Sequence, residues 1–198
     1  LAEMEREFKN MLTKEEYERL LQAFTVKKED RKQQINTYWD TETFTLREHG
    51  AALRTRKKPG TAELTLKEQH ADGILEWTDA LDEKTYEQIL VQHPFGEGEA
   101  ITRLENTHNI VPNQLRKIGE LTTLRVELPY KRGLLVFDES HYGQTVDFEI
   151  EYEVENWSEG RQAFTELLRL YQIPERPADK KIARALRAYE VSRGEGQA

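Results

Sequence analysis

The chain has 198 residues, 37% apolar and 33% charged, with 37 acids against 29 bases, a formal charge of −8 and no cysteine. That length suits one large domain or two small ones and is enough to bury a core. The missing cysteines exclude disulfide scaffolds, thiolate zinc sites and thiol nucleophiles, and the net acidity argues against nucleic-acid binding, which needs a basic footprint.

Met4-Glu5-Arg6-Glu7-Phe8-Lys9 alternates with period two, which predicts a strand carrying Glu5, Glu7 and Lys9 on one face. Thr13 and Glu16 form a capping-box pattern ahead of Tyr17, Leu20, Leu21 and Phe24 at helical spacing. Residues 34–69 are rich in Thr, aromatic and β-branched residues. The turns Glu48-His49-Gly50 and Lys58-Pro59-Gly60 divide them into three strands. Arg54 and Arg56 share one strand face, as do Thr65 and Lys67. Ile74–Trp77 reads as a short strand, and a helix with Tyr86, Ile89 and Leu90 on one side leads to a loop at 94–98. Residues 99–118 read as a short helix and connections. Strands resume at Leu121–Leu128, Leu134–Asp138 and Val146–Glu155. Ser158 is placed to cap a helix carrying Phe164, Leu167, Leu168 and Tyr171, and Pro174 and Pro177 separate it from a last helix over 179–189. Together these elements describe an α+β domain on an antiparallel sheet, with residues 190–198 expected to be a disordered tail. No window reaches the ~18 apolar residues of a membrane span and no signal-peptide pattern opens the chain, so the expectation is a cytoplasmic protein with no membrane partner.

The polar faces of the strands are unusual in repeating charges of one sign. Glu149, Glu151 and Glu153 alternate with Ile150, Tyr152 and Val154, and Arg125 and Glu127 flank Val126. Carboxylates at successive same-face positions lie ~7 Å apart and repel unless cations or bases oppose them. On a closed sheet these faces would form a charged lumen able to hold a metal-bound polyphosphate, because hard cations take carboxylate oxygens and arginine forks suit phosphate. The five histidines, at 49, 70, 93, 108 and 141, form no zinc motif and read as surface or satisfied core residues. No P-loop, dinucleotide-binding or nucleophile-elbow motif occurs.

Glu5-x-Glu7-x-Lys9 resembles the N-terminal E-x-E-x-K signature of the CYTH superfamily, the triphosphate tunnel metalloenzymes. Further motifs similar to that family's tunnel lining follow in order: Leu53–Arg56, Leu64–Lys67, Arg125–Glu127, Asp138, the Glu149–Glu153 strand and Lys181–Arg184. The likeness spans residues 3–189. It implies an eight-stranded antiparallel β-barrel forming a tunnel, with helices packed outside and the charged faces turned inward. It also implies a hydrolase of triphosphate compounds, foremost inorganic triphosphate, with Mg²⁺ or Mn²⁺ as cofactor and a small-molecule triphosphate as partner. Adenylate cyclase and a non-catalytic polyphosphate-binding module are the alternatives.

By the same resemblance Glu5 and Glu7, with Asp138 and two of Glu149, Glu151 and Glu153, would hold metal. Lys9, Arg54, Arg56, Lys67, Arg125 and Lys181 would grip phosphate oxygens. Glu5, Glu7 and Lys9 would belong to the catalytic set with Glu127, which would position a base or a second metal. The family's acidic strand usually supplies one E-x-E pair, whereas three glutamates stand in phase here, of which Glu151 and Glu153 are favoured.

Overall fold

The protein is described by a computed structural model covering residues 2–92 and 95–194. His93, Pro94 of the expected 94–98 loop and residues 195–198 of the expected tail lie outside the described residues. The strands are β1 (Glu3–Glu5), β2 (Glu7–Leu12), β3 (Lys32–Thr41), β4 (Ala51–Lys58), β5 (Thr61–His70), β6 (Gly73–Leu81), β7 (Leu115–Tyr130), β8 (Gly133–Tyr142) and β9 (Thr145–Val154). The helices are α1 (Lys14–Ala23), α2 (Thr45–Glu48), α3 (Glu83–Gln92), α4 (Glu99–His108), α5 (Trp157–Leu170) and α6 (Lys181–Arg193).

All the strands join one antiparallel sheet in the order β1-β6-β5-β4-β3-β7-β8-β9-β2. Its two ends are consecutive pieces of chain. Glu5 of β1 lies opposite Ile74 of β6, and Glu7 of β2 lies opposite Glu153 of β9. The N-terminal strand therefore changes partner at Arg6, whose carbonyl accepts from the Val154 N–H at 2.8 Å, and the sheet nearly closes into a barrel through it. The expected eight strands become nine segments because of that one break. Gly73 makes the seam possible: it sits at φ +147°, and a Cβ there would collide with the Glu5 carbonyl.

Because side chains alternate across a strand, a charged lumen forces the apolar positions outward, and helices must cover them. Phe137, Ile150 and Tyr152 pack against Tyr17 and Leu20 of α1 and Phe164 and Leu167 of α5. On the other side Trp39, Leu53, Leu64 and Leu66 meet Leu46, Ile89, Ile101 and Leu104 from α2, α3 and α4. Helix α6 lies on β7 with Ala185 and Leu186 against Ile118 and Leu121. Its approach requires Gly119, where a Cβ would stand 3.0 Å from the Ala185 carbonyl carbon. Among the described residues no helix is long and apolar enough to cross a membrane.

Several boundaries depart from the local patterns. The turn expected at 48–50 is the end of α2, and α4 occupies the first half of the undivided 99–118 stretch. Both helices start on carboxylates borrowed from strands. Asp40 of β3 accepts from the N–H groups of Leu46 and Arg47 at 2.9 and 3.1 Å, and Asp79 of β6 accepts from Glu99 and Ala100 at 2.9 Å. Strand β7 begins at Leu115 rather than Leu121, because a register shift at Tyr38/Trp39 breaks the alternation that would have announced it. Helix α5 is capped by Asn156, which accepts from the Ser158 and Glu159 N–H groups, and not by Ser158. Helix α6 starts at Lys181 and extends four residues past Tyr189.

Candidate functional site

A cavity of about 1160 Å³ fills the barrel and opens to solvent. Glu5, Glu7, Lys9, Arg54, Arg56, Lys67, Arg125, Glu127, Glu151, Glu153 and Lys181 all line it. Asp138 and Glu149 do not. They lie behind its wall, Asp138 0% and Glu149 1% exposed.

The acidic side is built by the N-terminal strand and β9. Register places Glu7 beside Glu153 and Lys9 beside Glu151. Lys9 Nζ donates to Glu7 at 2.5 Å. Burial disfavours the Lys9 ammonium, but the charges of Glu7 and Glu151 outweigh it and raise its pKa. Burial, reinforced by Glu7, pushes the Glu151 carboxyl up to about 8 although Arg125 pulls the other way. Glu153 is raised by burial too, again against Arg125, with Glu5 and Glu7 adding repulsion. Crowded acids of this kind hold protons that a divalent cation would displace.

The basic side comes from β4, β5 and β7. Arg54 and Arg56 stand two residues apart on β4, and Arg56 Nε donates to Asn36 Oδ1 at 2.7 Å. Burial, with the neighbouring charges of Arg54 and Arg125, lowers the Arg56 guanidinium to about 9. Arg54 is less committed: its Nε is buried without a hydrogen-bond partner, and its nearest acid, Glu63, is 3.8 Å away. Lys67 donates to Glu5 at 2.8 Å and pairs closely with Glu76. Arg125 is spent differently. Its Nε and Nη2 grip Asp138 at 2.8 and 2.6 Å, Nη2 also reaches Glu151 at 2.8 Å, and Nη1 is 3.8 Å from the half-exposed Glu127.

Lys181 enters from the first turn of α6. Its ammonium lies 2.8 Å from Asp138 and 2.7 Å from Glu151 and pairs closely with Glu149. A cation at a helix N-terminus opposes the helix dipole, and these carboxylates offset that cost. Burial pushes Lys181 down to about 7, with Asp138 pulling it up and Arg125 pushing it further down. The first turn of α6 thus ties these buried charges together, because Arg184, three residues on, pairs with Asp147 at 2.6 Å and closely with Glu149. Carboxylate oxygens of Asp138, Glu149 and Glu151 all lie within 4.8 Å of one another, with Lys181 bound to each.

Lys58, Glu63 and Glu76, which line the cavity, and Asn36, which holds Arg56, stand outside the candidate set, and Arg184 was given no role within its motif. Glu63 was reachable, since it is in phase with Thr65 and Lys67. Glu76 needed the β5–β6 register, which sets it opposite Lys67. Asn36 gave no signal, because polar residues stand on both faces of β3. Buried His108 uses Nε2 on Glu68, itself at the cavity lining, at 2.9 Å and Nδ1 on His49 at 3.1 Å, a satisfied polar contact at the α4 end.

The CYTH domain family model matches residues 3–186. The chain is 40% identical over 191 residues to "Putative triphosphatase YjbK" of Bacillus subtilis (strain 168), covering 96% of this chain and 97% of that protein. A crystal structure described as a putative adenylate cyclase from Bacillus halodurans superposes with TM-score 0.89 at 34% identity, over 92% of this chain and 97% of that one. The fold is shared with HpAC1 from Hippeastrum, titled a putative adenylyl cyclase with a dominant triphosphatase activity, at TM-score 0.78 and 20% identity over 91% and 94% of the two chains. With the signature strand, the nearly closed barrel and the whole-length match in agreement, the chain belongs to the CYTH domain family.

Proposed function

We propose that the protein is a metal-dependent hydrolase of triphosphate compounds, with inorganic triphosphate cleaved to diphosphate and phosphate inside the barrel. The observation that carries this reading is the pairing, in one cavity, of crowded carboxylates with arginines that have donors to spare. The name of the YjbK relative, 40% identical over 191 residues, points the same way. The name of the Bacillus halodurans structure keeps adenylate cyclase as the second reading, which product analysis separates.

The donor set fits a hard divalent cation such as Mg²⁺ or Mn²⁺, which takes carboxylate oxygens. Glu5, Glu7, Glu151 and Glu153 would hold it, and it would supply charge neutralisation and an activated water. Asp138 acts instead as a buried counter-ion that fixes Arg125 and Lys181, and Glu149 as one that fixes Lys181 and Arg184. Arg54 and Arg56 bind the phosphate oxygens and stabilise the charge that grows on the transferred and leaving groups. Lys9 and Lys67 extend that cationic surface, each oriented by its glutamate partner. Glu127, half exposed beside Arg125, orients that guanidinium toward the cavity.

The raised pKa of Glu151 fixes the direction of the pH response. Below about 8 this carboxyl carries a proton, and that proton competes with the cation. Phosphate release from triphosphate at low Mg²⁺ therefore falls as pH drops through about 8, and more Mg²⁺ moves the limb to lower pH. A steady-state pH series at two Mg²⁺ concentrations checks this. A limb that ignores Mg²⁺ would remove Glu151 from the metal site, and no release at any pH would sink the hydrolase reading.

A further inference from the structure

Glu63 of β5 is an acid set into the basic wall. It faces Arg56 in the β4–β5 register. Its Oε1 lies 3.7 Å from Arg56 Nη1 and 3.8 Å from Arg54 Nη2, and its Oε2 accepts from Lys58 Nζ at 3.2 Å. All three cations and Glu63 line the cavity. Burial opposes ionisation of this carboxyl, but Arg56, Arg54 and Lys58 outweigh it and hold its pKa below the usual range, so Glu63 is an anion at neutral pH.

The arginine contacts are too long to be hydrogen bonds. Arg56 takes its orientation from Asn36, and Arg54 keeps a buried donor unused. Glu63 thus leaves the guanidinium forks free and changes mainly the charge of the wall, from three positive groups to a net of two. A wall that grips a triphosphate also grips the diphosphate left after cleavage. Binding both equally well adds nothing to turnover once substrate saturates, and slow product release then limits the rate.

We propose that Glu63 trims the charge of this wall so that a diphosphate anion can leave it. The inference rests on the triphosphatase reading. At ~5 Å and an effective dielectric of ~20, one unit of charge changes anion affinity by well over tenfold before screening.

The test is a calorimetric titration of magnesium diphosphate into wild type, Glu63→Gln and Glu63→Asp at fixed ionic strength, with steady-state kinetics on tripolyphosphate beside it. Glu63→Gln should bind diphosphate about tenfold tighter, with KM and kcat both lowered and product inhibition strengthened. Glu63→Asp, which keeps the charge, should stay within about threefold of wild type. A purely structural role would loosen binding instead of tightening it. Equal or weaker diphosphate binding by Glu63→Gln, with wild type binding and turning over normally, overturns the Glu63 proposal alone. Wild type that neither binds magnesium diphosphate nor cleaves tripolyphosphate overturns the triphosphatase reading, and the Glu63 proposal with it.

Discussion

Replacing Arg54 with alanine should lower kcat/KM for triphosphate by about 10²–10³-fold, the usual cost of losing one charge-stabilising donor set. Stability should change by only about 1 kcal/mol. Among the described residues Arg54 makes no close ion pair: Glu63 stands at 3.8 Å and Nε has no hydrogen-bond partner. Its removal also relieves Arg56, whose guanidinium is depressed in part by the Arg54 charge. Kinetics together with a thermal melt read both quantities. An unchanged rate would remove Arg54 from the phosphate-binding wall, while a collapsed melt would show that its role is to hold the barrel together.

Arg125→Met should cost stability as well as activity. Arg125 is 8% exposed, and its guanidinium bonds Asp138 through two nitrogens and Glu151 through one of them. Methionine fills much of the space but leaves those carboxylates with Lys181 as their main counter-charge. Breaking a buried pair from one side costs about 3 kcal/mol or more, which in a chain of this size lowers Tm by roughly 6–12 °C. Activity should vanish as well, because Glu151 would be pushed still further toward its protonated form. A melt within a degree or two of wild type would mean that Asp138 is neutralised without Arg125.

The contrast between these two arginines was not visible in the sequence, where both are bases on alternating strands. What separates them is the partner across the β7–β8 ladder, since Arg125 lies opposite Asp138 there while Arg54 lies opposite Thr65 and Tyr38. Periodicity does expose the inward faces, because alternation is a local property: Glu5, Glu7 and Lys9 can be assigned to one face before any fold is known. Local order also reveals α1, whose capping box lies within four residues. It leaves the start of the short helix expected within 99–118 unmarked, because α4 begins on Asp79 twenty residues upstream. Closure of the barrel needed pairing between distant strands, and from sequence it came only through family resemblance. The division of the acids is equally non-local. Glu149, Glu151 and Glu153 look equivalent along β9, yet α6 brings Lys181 and Arg184 onto Glu149 and leaves Glu153 to the cavity.

As a triphosphatase, this charged lumen would cleave a phosphoanhydride with the help of a divalent cation. The most direct measurement is phosphate release from inorganic triphosphate with Mg²⁺, Mn²⁺ or EDTA, run beside ATP with detection of cyclic AMP. The expected result is release that depends on the metal, disappears with EDTA and leaves diphosphate, with no cyclic nucleotide from ATP. Cyclic AMP from ATP without release from triphosphate would contradict hydrolysis in favour of a cyclase. Thermal stabilisation by triphosphate with no product from either substrate would contradict it in favour of a binding module.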